Sequence, residues 1–185
     1  LSTVLTVILG LPAAYLFSRY QFKGKELLRV ASTLPFILPT VVAAAGFNAL
    51  IGPQGWLNLF LMRVLNLSEP PLAILNTLAA ILLAHVFYNT SIIIRIVGSA
   101  LSQFDRRLED AARTLGASPL RAFLRVTLPG LMPSILSALL LVFLFDFSSF
   151  GVILMLGGPR FSTLETEIYI QTVQFLNLPM AGILS

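Results

Sequence analysis

The chain has 185 residues, 57% of them apolar and only 11% charged, with a mean hydropathy of +0.90; soluble domains carry about a quarter charged residues, so an ordinary soluble domain is excluded and an integral membrane protein is indicated. With no cysteine and a single histidine, disulfides, thiolate metal sites and a cysteine nucleophile are excluded as well. The formal net charge of +4 is carried by loops beside apolar runs, where membrane topology accounts for it without nucleic acid.

Residues 1–18 are apolar, with Gly10 and Pro12 inside the run, as membrane helices tolerate. A signal peptide would carry its basic residues before the apolar stretch, whereas here Arg19, Lys23, Lys25 and Arg29 follow it. The run is therefore expected to be a span ending in the cytoplasm. A second span over 30–51 contains Pro35 and Pro39, whose missing amide donors predict a kink. Gly52, Pro53 and Gly55 end it, and Trp56 then opens a short interfacial helix with Arg63 before Pro70 and Pro71. Residues 72–94 form a third span, long enough for about 30 Å of hydrocarbon, with Arg95 at its cytoplasmic end.

Residues 95–129 are the one extended polar stretch and read as a cytoplasmic loop. Phe104, Leu108, Ala111, Ala112 and Leu115 recur at helical spacing, and Ser102 or Asp105 is placed to cap that helix. Glu109 with Arg113 and Arg106 with Asp110 stand four apart, which predicts two ion pairs along it. Gly116 supplies the left-handed residue that stops the helix, and Ser118 followed by Pro119 caps a second one. Leu120, Phe123, Leu124 and Leu128 share a face of this second helix, which Pro129 ends or leads into the next span.

A fourth span is expected over 131–156, before Gly157, Gly158 and Pro159. Residues 157–178 are polar enough to lie outside, with Thr163 capping a short helix whose first turn carries Glu165 and Glu167. Residues 180–185 begin a fifth span, and with no initial methionine the chain is expected to be a piece of a longer one. Arg19, Lys23, Lys25, Arg29, Arg95, Arg106, Arg107, Arg113, Arg121 and Arg125 fall on one side of this topology and only Arg63 and Arg160 on the other, which sets residues 95–129 in the cytoplasm. No internal repeat or low-complexity linker interrupts the chain, so a single domain is expected.

Asp110, Ala111, Ala112, Gly116, Val126, Leu128 and Pro129 stand at the spacing of the EAA loop: E-A-A, three residues, G, nine residues, I/V-x-L-P. In this the chain resembles the permeases of ABC importers. It departs from their pattern at Asp110, where glutamate is usual, although Glu109 directly precedes it. LAHVFYN at 83–89, FSSFGVILMLGGP at 147–159 and TLETEIY at 163–169 resemble, within that class, the permeases of ferric-iron and thiamine importers. The resemblance implies an all-α polytopic bundle of the type I importer fold with a cytoplasmic coupling helix-turn-helix, in the inner membrane. It also implies a second permease half, two cytoplasmic ATPases that meet Glu109, Asp110 and the rest of the loop, and an external binding protein for Glu165 and Glu167 to contact. The chain lacks a G-x-x-x-x-G-K-[S/T] loop, so ATP is expected on the partner and no cofactor on this chain.

A secondary transporter or channel would need intramembrane charges along an ion path, and Asp146 is the only clear one. Asp146, in the outer half of the membrane, is therefore a pathway candidate, with His85 and Asn89 on a common face of the third span. The competing reading of all three is interhelical hydrogen bonding. An enzyme would need a ligand set or an activated serine, but His85 has no ligand companions in sequence and Ser148 and Ser149 have no neighbouring base.

Overall fold

A computed structural model describes residues 1–185, all of whose regular structure is helical. The helices are α1 (Ser2–Arg19), α2 (Lys25–Ile37), α3 (Thr40–Ile51), α4 (Trp56–Leu65), α5 (Leu78–Gln103), α6 (Arg106–Thr114), α7 (Pro119–Ala122), α8 (Leu128–Phe147), α9 (Phe150–Leu156), α10 (Leu164–Tyr169) and α11 (Leu178–Leu184). Single π turns cover Phe123–Thr127 and Ile170–Gln174. Three stretches are long and apolar enough to cross a membrane: Ser2–Arg19, Leu78–Gln103 and Pro119–Phe147.

The expected spans differ from these helices in three places. The run over 30–51 is interrupted at its second proline, and the helix pair on either side is long and apolar enough to make a further, broken span: α2 continues through Pro35 to Ile37, and Pro39, extended at φ −57°, ψ 139°, stands immediately before α3. A proline disfavours helix in the residue before it and cannot donate backwards, so Leu38 and Pro39 make the break. The helix that carries the expected third span, α5, starts at Leu78 and continues past Arg95 to Gln103. The fourth is broken, because α8 ends at Phe147 and α9 starts at Phe150.

The chain forms two compact units, one of Leu1–Phe36 with Val86–Leu144 and one of Ile37–His85 with Phe145–Ser185. In the first, Ala14 of α1, Ile92, Ile93, Val97 and Leu101 of α5, and Leu131, Ile135, Ala138 and Val142 of α8 make the core. Gly10, Ala14 and Ser18, four residues apart, line one side of α1. A Cβ on Gly10 would lie 2.7 Å from Ile93, and Ser18 Oγ donates to the Gly98 carbonyl at 2.7 Å. Small residues let two membrane helices approach where dispersion, not water exclusion, must hold them.

In the second unit, the fully buried Asn58 of α4 pins the returning chain. Its amide donates to the Gly52 and Leu72 carbonyls at 2.8 and 2.9 Å, and its Oδ1 accepts from the Leu72 amide at 2.9 Å. Asn76 N donates to the Leu156 carbonyl at 3.1 Å, and the Phe150 and Tyr169 rings meet edge to face at 5.4 Å.

Candidate functional site

The polar stretch folds by local signals. Asp105 caps α6, its carboxylate accepting from the Arg107 amide at 2.9 Å, while Ser102 lies inside α5 and donates to the Gly98 carbonyl. After Leu115 the chain turns at Gly116, φ +88°, a conformation that Cβ disfavours. Gly116 N bonds the Arg113 carbonyl at 3.0 Å and Ala117 N the Ala112 carbonyl at 3.1 Å, the paired bonds of a Schellman stop. Ser118 Oγ then accepts from the Arg121 amide, with Pro119 in the first position of α7. Ala111 is exposed, Ala112 half-buried and Leu115 almost bare at 89% exposure.

Pro129 does not end the second helix. Pro119–Phe147 runs as one rod of 29 residues, with Val126 and Leu128 half-buried and Pro129 exposed in it. At its π turn the Leu128 amide reaches back five residues to the Phe123 carbonyl, and such a turn absorbs a local change in hydrogen-bond register without breaking the helix.

Neither ion pair expected along α6 forms. Glu109 turns inward to Arg19 at the end of α1, Oε2 to guanidinium 3.0 Å, and accepts from Thr127 Oγ1 of the π turn at 3.2 Å. Both charged side chains are largely buried, at 9% and 16% exposure, so each is held by the other. Asp110 is exposed, and of the two carboxylates it is the one open to a partner. No spacing rule pointed to Arg19, which stands 90 residues from Glu109.

His85, buried, and Asp146, partly buried, meet with Nδ1 3.3 Å from Oδ1, and the other ring nitrogen lies 2.8 Å from Ser149 Oγ. The sequence showed His85 without companions and Ser149 without a base; folding brings all three into one row. Ser149, at φ −82° and ψ 70° with Phe150 N bonding the Ser148 carbonyl at 2.9 Å, is the centre of the tight turn between α8 and α9. Ser–His–Asp order is that of acyl-transfer triads, which also need oxyanion donors beside the serine. Here the row ties the two sides of a helix break to α5. Asn89, one turn further along α5, is also buried, as is Ser91, which bonds the Tyr88 carbonyl.

In the 157–178 segment Thr163 Oγ1 accepts from the Thr166 amide and caps α10. Glu165 is exposed, whereas Glu167 is half-buried and accepts from Gln171 Nε2 at 2.8 Å.

The profile of the family described as "Binding-protein-dependent transport system inner membrane component" matches residues 6–184. Among curated relatives, the chain is 33% identical over 158 residues to a probable sulfate transport system permease protein of Nephroselmis olivacea, covering 85% of this chain and 54% of that protein. It is 34% identical over 160 residues to a spermidine/putrescine transport system permease protein of Haemophilus influenzae, covering 86% and 56%. To a probable molybdenum ABC transporter permease protein of Haloferax volcanii it is 33% identical over 171 residues, covering 92% and 59%. The chain thus spans a little over half the length of these relatives. Its fold is similar to a chain of a bacterial ABC transporter that imports the acidic polysaccharide alginate, with TM-score 0.73 and 17% identity over 99% of this chain and 70% of that one. A second structure of an alginate transporter, in complex with an alginate-pentasaccharide-bound periplasmic protein, gives TM-score 0.74 at 17% identity, covering 99% and 69%. The chain belongs to the family of binding-protein-dependent transport system inner membrane components, and its helical fold is that of an ABC importer permease.

Proposed function

We propose that this chain is a membrane half of an ATP-driven importer, one transmembrane domain over 1–185. With a second half, fused or separate, it would receive a solute from an extracytoplasmic binding protein, while two ATPase subunits dock on the turn around Gly116 and carry the nucleotide chemistry. The observation that carries this reading is a polar helix stopped at Gly116 and joined through a short capped turn to the rod Pro119–Phe147. A push on the turn is delivered along that rod into the bilayer. Asp110, Ala111, Ala112 and Leu115 present the contact face; Glu109, Val126, Leu128 and Pro129 belong to its support. Glu165 is the carboxylate of the outer segment available to a binding protein.

The row His85–Asp146–Ser149, with Asn89 nearby in sequence, acts in this reading as the fastening of a helix break and not as a cargo ligand. For the cargo, the stretches at 83–89, 147–159 and 163–169 support ferric iron or thiamine, whereas the relatives named above are called permeases for sulfate, spermidine/putrescine and molybdenum. A small ionic solute is the class common to all of these.

Crosslinking tests the docking. Leu115→Cys should crosslink to a cysteine in the ATPase surface within the assembled transporter and lose that crosslink when Gly116 is replaced by Val. A transporter whose Leu115→Cys meets no ATPase under any nucleotide condition would rule out the α6–α7 turn as the docking element.

A further inference from the structure

Beside the Arg19–Glu109 pair lies a polar pocket of about 220 Å³, lined by Tyr15, Arg19, Tyr20, Arg106, Glu109, Asp110 and Arg113. Arg19 is not fully used there: one terminal nitrogen holds Glu109, but its buried Nε has no partner. Arg106 and Arg113, two turns apart on α6, form no ion pair. Glu109 already faces Arg19 and Thr127, and Asp110 is the second carboxylate, so three guanidiniums face two carboxylates. The pocket is left with one unbalanced positive charge.

Tyr15 and Glu109 also line a second cavity, of about 570 Å³, whose remaining walls are apolar, among them Leu11, Leu16, Val97, Leu120, Phe123 and Ile135. A cationic pocket and an apolar one thus share the walls Tyr15 and Glu109, near the end of α1 where the basic residues set the cytoplasmic face. The apolar cavity is open to its surroundings and lined by helices long and apolar enough to cross a membrane, so lipid chains can reach it. An amphiphile with a single negative charge at the head matches both cavities at once. Arginine forks match phosphate oxygens, and anionic lipids are concentrated in the cytoplasmic leaflet.

We propose that the two cavities together seat one anionic phospholipid of the inner leaflet, its phosphodiester against Arg19, Arg106 and Arg113 and one acyl chain between α1, α7 and α8. A monoanionic phosphodiester balances the surplus charge, which neither a neutral lipid nor a second protein carboxylate with no apolar tail would do while also filling the larger cavity. The assignment rests on the membrane placement in the proposed function and shares Asp110 with the proposed docking face, but its readout, lipid retention, is separate from cargo transport and from the Leu115→Cys crosslink.

The test is native mass spectrometry of the delipidated, assembled transporter, titrated with phosphatidylglycerol or phosphatidylcholine of the same chains. Phosphatidylglycerol should be retained at least about tenfold more tightly, since each basic side chain contributes to headgroup binding. Arg106→Gln combined with Arg113→Gln, both exposed positions, should bring it down to the phosphatidylcholine level. Leu16→Trp, which fills the apolar cavity from a half-open position, should weaken both lipids. Equal retention of the two lipids by the wild type overturns the proposal, as does indifference to the double arginine variant. Displacement by millimolar inorganic phosphate with no effect of Leu16→Trp would make it a plain anion pocket and overturn it likewise.

Discussion

Arg19 and Glu109 lie 90 residues apart in sequence and 3.0 Å apart in space, and through Thr127 the same carboxylate reaches the π turn of the long rod. One side chain therefore fastens the end of α1, the polar helix and the base of the rod. Removing either partner leaves the other buried and unpaired, which destabilises by about 3 kcal/mol. Arg19→Met and Glu109→Leu should each lower the melting temperature of the purified protein, and the double variant should recover most of the loss. Additive losses would show that the two do not interact.

Gly116 provides a graded series. Asparagine tolerates the left-handed region, alanine poorly, and a β-branched residue worst, with strain of about 1–2 kcal/mol. No atom lies within 4 Å of the position that a Cβ would take, so conformation alone decides the ranking. The ratio of solute imported to ATP hydrolysed should fall from Gly116→Asn through Gly116→Ala to Gly116→Val, with membrane insertion unchanged in all three.

Asp146→Asn keeps an oxygen to accept from His85 and should leave both assembly yield and uptake near wild type. Asp146→Ala removes the carboxylate 3.3 Å from His85 Nδ1 and should reduce the yield. Loss of uptake in Asp146→Asn at full yield would return the carboxylate to the solute path.

In the 157–178 segment, if it meets the binding protein as proposed, Glu165→Lys should account for most of any loss in stimulation of the ATPase by loaded binding protein. Glu167 is already committed to Gln171 at 2.8 Å, so Glu167→Lys should act mainly by weakening α10. Equal effects of the two on stimulation, with α10 intact, would point to a contact made by both.

Gly10→Ala places a methyl 2.7 Å from Ile93, and overpacking of this kind costs about 1–3 kcal/mol. Ile93→Ala, which removes the Cγ2 and Cγ1 atoms that would lie 2.8 and 3.1 Å from that methyl, should cost less in the Gly10→Ala chain than in the wild type. Thermal unfolding of the two single variants and the double one reads this directly.

Local signals carried most of the polar helix pair into the sequence reading: the Asp105 cap, the stop at Gly116 and the Ser118–Pro119 start each depend on residues within one turn. The apolar runs likewise announced α1, α5 and α8. What failed was the charge rule taken one helix at a time, because α6 directs Glu109 away from its own helical neighbours to Arg19. Of the two readings open for Pro129, the one that leads into the next span is the one the rod follows, and Pro39 stands at a break where a kink was expected. The His85–Asp146–Ser149 row was hidden for another reason: its histidine and serine stand 64 residues apart, and period counting has no reach over that distance.

The π turn at Phe123–Thr127 also sets the phase of everything after it. The buried positions along the rod run Ala122, Thr127, Leu131, Ile135, Ala138 and Val142. The spacing after Ala122 is five, and every later one is three or four. In an uninterrupted α-helix a step of five residues swings about 140° around the axis, which would turn Thr127 and the core stripe away from the side that Ala122 faces. The wide turn takes up that swing. The rod therefore contains one residue more than a plain helix with the same buried seam would need, so deleting the exposed Leu124 should convert the wide turn into an ordinary one with the seam still aligned. The same deletion a few residues later, at Leu136, has no surplus to remove and would rotate the rest of the seam out of the core.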